Sequence, residues 1–339
     1  MKQTAPVILI AFLVMCLSLP AAASGEWELE KEKDGVSTYS REVEGSDYSA
    51  FKATAEIDAT MAAVGDVLRD VPNFPEWMAK IKDAEIVKKH NANDMDVYLI
   101  MDFPWPTKDR DVVTQARTTV DSETGDLKVN TTILEDTDIP EKDKMVRLPE
   151  LTQQFVLKFI EMDKTEISFS VHMEAGGSLP SSLVNRETEK VPSESLVNLQ
   201  EFVRQEKYQK ADPFSKINMP ITQAITTAIL SKYIKDQEII DMVINDKELI
   251  KITMEGGYGE DGMEQTSRAV LKKYVKTQAF AERIEDSTHE EELALLAEDD
   301  DLLEEVLDDD ELAVMVLSSG DLTGSIAERV AEIVEDEVD

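Results

Sequence analysis

Side chains able to carry acid–base, nucleophilic or metal chemistry are sparse in this chain. It has three histidines in 339 residues: His90 in a turn, His172 at an even position of a strand whose odd positions are apolar, and His289 in an acidic stretch. A hydrolase or cyclase needs acid and base groups converging on one substrate. Neither a Gly-x-Ser-x-Gly elbow nor a His-Glu-x-x-His helix occurs. Cys16 is the only cysteine and lies in the apolar N-terminal run, so a chain processed beyond it has no thiol for a disulfide, a nucleophile or a Cys-based metal site. Asp299–Asp301 and Asp308–Asp310 lack the Asp-x-Asp-x-Asp-Gly pattern with a distal Glu that a calcium loop uses. Gly256-Gly257-Tyr258-Gly259 has no strand before it and no Lys-Ser/Thr after it, so it reads as a loop rather than a phosphate cradle. No catalytic residue, metal site or cofactor is expected, and the reading is a non-enzymatic protein.

The densest cluster of chemically distinctive residues is Phe103-Pro104-Trp105-Pro106-Thr107-Lys108-Asp109-Arg110-Asp111-Val112-Val113. Neither proline can sit in a central ladder, so the stretch is a stiff corner between strands, with an indole on the corner and an Arg between two carboxylates behind it. The indole packs either into the core or over a ligand. Asp102 and Arg110 are candidates for a polar anchor, against the alternative of a corner ion pair.

The net charge is −36, from 71 acidic against 35 basic residues. Phosphate backbones are held by clustered Lys and Arg, so nucleic acid is excluded as a partner. Lys2, the apolar run Val7 to Leu19, Pro20 and Ala21-Ala22-Ala23-Ser24 read as a secretory signal over residues 1–23, cleaved after Ala23. A lipidated Cys16 is the rival, against which Met15 stands as a bulky residue where a small one is expected. The mature chain is expected to be periplasmic or secreted, and soluble.

The elements that must position these residues occupy 24–210. Alternating runs on either side of Asp34-Gly35 predict a hairpin, and Tyr48 to Ile57 a third strand. Met61, Val64, Leu68 and Val71 then form the apolar stripe of a helix capped by Asp58 or Thr60 and stopped by Pro72. A short helical element follows at Phe74 to Met78. Strands resume at Ala84 to Lys89, Asp94 to Phe103, Asp109 to Val120 and Leu127 to Glu135. After a polar loop from Asp136 to Leu148 come Leu151 to Phe159 and Glu166 to Ala175, with odd positions apolar except Gln153 and a wet opposite face. Gly176-Gly177-Ser178-Leu179-Pro180 breaks the sheet and opens a long helix with Ser178 as cap and a kink or interruption at Pro192. The fold class is α+β: a bent antiparallel sheet of about nine strands gripping one long C-terminal helix. Periodicity alone leaves open whether the interior is packed or hollow.

Taken in order, these residues resemble the START (steroidogenic acute regulatory protein-related lipid transfer) family of the helix-grip superfamily. The matches are the Trp27 opening with its Asp34-Gly35 hairpin, Trp77 before Ile81 to Val87, Pro106 to Val113, and Gly176 to Pro180 leading to Asn185, Pro192 and Leu199. The resemblance implies a tunnel holding one lipid or other hydrophobic small molecule, transient contact with membranes, and a lid made of Leu179 to Val203 and the Asp136–Leu148 loop. Carried onto this chain, the tunnel wall becomes Leu99, Met101, Phe103, Trp105, Phe155, Leu157, Phe159, Phe169, Val171 and Met173, closed by Leu183, Leu199 and Val203. Several members carry an inward Arg five residues beyond the Arg-Asp motif's Asp. Here that position is Ala116, with Arg117 one further on and facing the other side unless a bulge intervenes.

Residues 211–339 lose the alternation and read as an acidic helical region. Ile229 to Leu249 aligns without gaps on Glu292 to Leu312, a weak duplication at an offset of 63. No Lys or Arg lies between Arg283 and Arg329. This is a solvated acidic face or, in the sharper reading, a docking surface for a basic protein partner. A scaffold that recruits such a partner is therefore the alternative to a hydrophobic-ligand carrier.

Overall fold

The computed structural model describes residues 25–257, 259–285 and 300–307, with Ala294, Leu296, Gly324, Ile326 and Ala327. The expected signal at 1–23 and most of the second copy of the duplication lie outside the described residues.

Strands β1 (Glu28–Lys33) and β2 (Val36–Arg41) turn on Asp34 and Gly35, whose φ values of 54° and 74° suit the tight turn that matches strand twist. β3 (Ala50–Ile57) follows, then helix α1 (Met61–Arg69). Thr60 rather than Asp58 caps it, its hydroxyl accepting the Ala63 N–H at 3.0 Å. A 3-10 turn (Val71–Asn73) and α2 (Phe74–Trp77) lead into β4 (Ile81–Asn91), β5 (Asp94–Met101), β6 (Arg110–Val120) and β7 (Leu127–Ile133). A two-residue β8 (Val146–Arg147), β9 (Glu150–Glu161), β10 (Lys164–Glu174) and the long α3 (Ser181–Phe202) complete the domain. Pro180, not Ser178, is the residue before the first turn, and α3 runs unbroken through Pro192.

The sheet has ten strands in the order β1-β2-β3-β10-β9-β7-β6-β5-β4, with β8 attached to β6 as the one parallel pairing. It is curved, and strict alternation sends Phe51, Ala53, Ala55 and Ile57 of β3, and Ile167, Phe169, Val171 and Met173 of β10, to the concave side. Helix α3 lies over β2, β3 and β10, burying Val184, Val191, Leu196 and Leu199. It therefore covers one half of the sheet; α1, the 3-10 turn and α2 stand over the other.

The convex face is not uniformly wet. Tyr98 and Ile100 of β5 and Val113 of β6 are buried there under Leu134, Ile139 and Met145. The Asp136–Leu148 loop, expected as part of a lid, is thus fastened to the outside of the sheet. Its bolt is Arg147, which donates to the fully buried Asp111 through Nε (3.2 Å) and Nη2 (3.0 Å), while the Tyr98 hydroxyl donates to the same carboxylate at 3.0 Å. A charge buried this deeply is held only with its partners in place.

Helix α3 is tied to the α2–β4 connection by polar contacts. Asn198 Nδ2 donates to the Trp77 carbonyl at 3.0 Å, and Ser195 Oγ accepts the Ala79 N–H at 2.9 Å. Glu187, 5 % exposed, takes Lys80 at 2.7 Å and Lys190 at 3.1 Å. Lys80 itself has a φ of 66°, a left-handed conformation that costs a non-glycine residue energy and persists where its surroundings hold it.

The C-terminal region is built of helices α4 (Glu206–Gln209), α5 (Met219–Leu230), α6 (Gln237–Ile244), α7 (Lys247–Gly256), α8 (Glu260–Tyr274), α9 (Gln278–Glu285) and α10 (Asp300–Leu307). Asp236 and Asp246 cap α6 and α7 through their side chains. Helices α6 and α10 begin and end 63 residues apart. The region packs against the sheet domain: a Cβ on Gly125, in the β6–β7 turn, would stand 2.8 Å from Ile225 Cα of α5.

Burial acts to raise the Glu187 carboxyl pKa, but hydrogen bonds from Lys80 and Lys190 outweigh it and lower the value to about 2. Folding is therefore favoured by ionised Glu187 above the unfolded carboxylate range, and this contribution disappears as pH falls from about 5 towards 2. Glu187→Gln should lower stability by about 2 kcal/mol at pH 7 and flatten that acid limb, as read by urea unfolding across the pH range.

Candidate functional site

The functional candidate is a cavity under the half of the sheet that α3 leaves uncovered. Its floor is the concave face of four strands: Met95, Val97 and Leu99 of β5, Thr114, Ala116 and Thr118 of β6, Leu127, Val129 and Thr131 of β7, and Gln153 and Phe155 of β9. Its roof is Gly65, Leu68 and Arg69 of α1 with Val71, Phe74 and Met78. Register explains the floor: β5 pairs with β6 at Met95↔Ala116, Val97↔Thr114 and Leu99↔Val112, so these side chains share one face. Where large residues meet, as at Leu99 and Val112, the interior is filled. Where Thr114, Ala116, Thr118 and Thr131 point inward, short side chains leave space.

The free volume is about 40 Å³, room for roughly three water-sized centres at about 10–15 Å³ each. A sterol or acyl chain enters only if the roof moves away from the floor. A row of rings walls the cavity off from the core under α3. Phe74 meets Trp77 edge-on at 5.6 Å, Trp77 lies 6.3 Å from Phe155, and Phe155 stacks on Phe169 at 4.0 Å.

Arg69 is the charged member of the wall. Its Nη1 donates to Asp66 at 2.8 Å and to Asn218 Oδ1, from the start of α5, at 3.2 Å. Burial pushes the Asp66 carboxyl up and the Arg69 guanidinium down, each against the attraction of the other. Asp70, at the end of α1, accepts from Lys207 Nζ at 2.8 Å and the Tyr208 hydroxyl at 2.9 Å, tying the roof to the segment after α3.

Of the residues expected on the wall, Leu99 and Phe155 stand on it. Met101, Phe103, Leu157, Phe169, Val171 and Met173 are buried in packed core, and Phe159 borders a smaller crevice against α5. Leu199 and Val203 are buried and Leu183 is half-buried, but none of the three lines the cavity. For Phe169, Val171 and Met173 the cause is α3, which covers β10 together with β2 and β3 and seals the residues beneath it.

Trp105 does not wall the interior; it is 92 % exposed at the corner. The anchor candidates also lie elsewhere. Asp102 is exposed, and Arg117 faces outward to pair with Asp94 at 3.3 Å. Arg110, 2 % exposed, spends its donors on main-chain carbonyls: Nε on Ala175 at 2.9 Å, Nη2 on Gly176 at 3.3 Å and Nη1 on Lys108. It lies over the Phe103 ring and fixes the β10–α3 junction. His172, expected on a wet face, is 9 % exposed beside Glu150. Arg69 is not singled out by the sequence pattern, lying between Leu68 and Val71 of the expected helix stripe, and Gln153 is legible only as a polar interruption of an apolar face. Among the described residues no three His, Cys, Asp or Glu side chains are grouped as metal ligands, and no helix is long and apolar enough to cross a membrane.

A curved antiparallel sheet gripping a long C-terminal helix, with an apolar cavity on its concave side, defines a helix-grip protein. Within that class the chain belongs to the START domain family, whose model matches residues 15–208. It is 32 % identical over 179 residues to an uncharacterized protein of Pseudomonas aeruginosa, covering 52 % of this chain and 87 % of that one. It is 23 % identical over 175 residues to the phosphatidylcholine transfer protein of Homo sapiens, covering 50 % of this chain and 79 % of that one. Among solved structures it is similar to a STAR-related lipid transfer protein from Xanthomonas axonopodis, at 30 % identity and a TM-score of 0.49, over 53 % of this chain and 99 % of that one.

Two substitutions separate scaffold from surface. Arg110→Met strands the Ala175 and Gly176 carbonyls and should cost about 2–4 kcal/mol. Trp105→Ala removes an exposed ring and should stay within about 0.5 kcal/mol of the parent in denaturant unfolding.

Proposed function

We propose that this protein is a carrier that binds a lipid or sterol-like molecule in the cavity between α1 and strands β5, β6, β7 and β9, and ferries it across the aqueous space outside the cytoplasmic membrane. The observation that carries the reading is the cavity itself: an apolar chamber inside a START domain, floored by a rigid sheet and roofed by a short helix, a 3-10 turn and α2. Burial of apolar ligand surface is worth about 25 cal/mol per Å², enough to hold a lipid firmly while the chamber is shut. Loading and release then require the roof to lift, because the closed space is far smaller than a lipid. The signal-like N-terminus supports the location, and the exposed Trp105 on its stiff corner suits a transient membrane contact, since indoles favour the membrane–water interface.

Lipid extraction and native mass spectrometry of the purified mature protein should reveal a co-purified hydrophobic ligand. A chain that is empty and refuses fluorescent fatty acid, phospholipid and sterol would sink the reading. Ala116→Leu, which fills the floor, should reduce uptake at least tenfold while costing about 1–3 kcal/mol of stability for overpacking.

A further inference from the structure

The cavity wall carries polar atoms that the fold leaves unused. Nε and Nη2 of Arg69 are buried and, among the described residues, have no hydrogen-bond partner. The same holds for Nε2 of Gln153, which is 3 % exposed on the floor. An unpaired buried donor costs about 1–3 kcal/mol, more when charged, so three of them around one small space are not explained by folding.

The position of Arg69 is determined by its surroundings. Asp66 and Asn218 both hold Nη1, so the guanidinium cannot turn freely. It lies along Gly65, where an added Cβ would come within 3.3 Å of Nη1, so this glycine makes the room. What remains is the Nε–Nη2 edge, two parallel N–H donors with the spacing of a carboxylate or phosphate oxygen pair. Gln153 Nε2 adds a neutral donor from β9. Around these groups the wall is apolar: Leu68, Val71, Phe74, Val97, Leu99 and Phe155.

We infer that Arg69 and Gln153 form the polar end of the cavity and that the ligand is an acidic amphiphile, presenting a carboxylate or phosphate oxygen pair to the free edge of Arg69 and an apolar body to the remaining wall. This rests on the reading of the cavity as a lipid-binding chamber and names the class of lipid. Water can serve these donors in the closed, unloaded state; the acidic head replaces it on loading. Asp66 offsets part of the Arg69 charge, which sets the expected preference near tenfold rather than a hundredfold.

The test uses the full purified chain and two matched pairs of probes, palmitate against hexadecanol and dimyristoyl phosphatidic acid against dimyristoylglycerol, measured by titration calorimetry. The acidic member should bind about tenfold tighter than its neutral counterpart in at least one pair, as a charge-assisted hydrogen bond predicts. The pair that shows the preference identifies the head group as carboxylate or phosphate. Arg69→Gln should narrow the acid-to-neutral ratio to about threefold or less, and Gln153→Leu should lower affinity for the preferred acid. Equal binding of acid and neutral probes by the parent protein overturns the inference while leaving the carrier reading intact. So does an acid preference that survives both substitutions. Failure of all four probes to bind overturns the inference, and the carrier reading falls with it where sterol is refused as well. Where one variant does not fold, the parent comparison still decides the ligand class and the other variant decides the residue.

Discussion

The row of rings from Phe74 through Trp77 and Phe155 to Phe169 is the contact on which the interior depends. Phe155 and Phe169 face each other across β9 and β10, in register and stacked at 4.0 Å, so their position is set by the sheet itself. Trp77, 1 % exposed, reaches down from α2 to complete the row. The row divides the concave face in two. On one side α3 packs against β2, β3 and β10 and buries their inner residues; on the other, α1 and the 3-10 turn stand over a space their side chains do not fill. Aromatic pairs of this geometry add about 0.5–1.5 kcal/mol each beyond the area they bury, and here they also fix where the packed core stops.

The hollow half is hollow because of side-chain size. On β3 and β10, α3 packs directly on the sheet, so that large inner residues such as Phe51, Phe169 and Met173 and small ones such as Ala53 and Ala55 are buried alike. Thr114, Ala116, Thr118 and Thr131 on β6 and β7 are too short to reach α1. A sheet curved this strongly would ordinarily be filled by bulkier residues at those positions, since interiors are close-packed. The result is a small chamber of about 40 Å³ between a sheet and a roof of separate short elements.

That roof is held by polar contacts with the rest of the chain. Asp70 is bound by Lys207 and Tyr208, and Arg69 by Asn218, so both ties on the last turn of α1 come from beyond α3. Helix α3 is fastened in turn to the residues between α2 and β4 through Asn198, Ser195 and Glu187. The acidic helical region is thus in physical contact with the cavity roof through α5, whose Ile225 also sits against the β6–β7 turn at Gly125. Helices α1 and α5 therefore share the Arg69–Asn218 contact directly.

Period-two alternation, the Asp34-Gly35 turn and the helical stripe after Pro180 were sufficient to place the long strands, the inward faces of β3, β9 and β10, and the long helix, because alternation and turn chemistry are local properties; the two-residue β8 and the full exposure of β1 were not legible. The ordered motifs from Trp27 to Leu199 likewise carried the family. Which inward residues line a space was decided by tertiary structure alone. Phe169, Val171 and Met173 read as strongly apolar and were expected on the wall; α3 sealed them, and the wall fell to Leu99, Phe155 and the small residues of β6 and β7. Hydrophobic pattern marks the residues that fill an interior, whereas a cavity is made where residues are too small to do so. Arg110 and Arg69 show the same division. Both are charged residues beside an apolar stretch, and only the fold shows that the donors of one are spent on the Ala175, Gly176 and Lys108 carbonyls while Nε and Nη2 of the other, a residue lining the chamber, are buried without a partner.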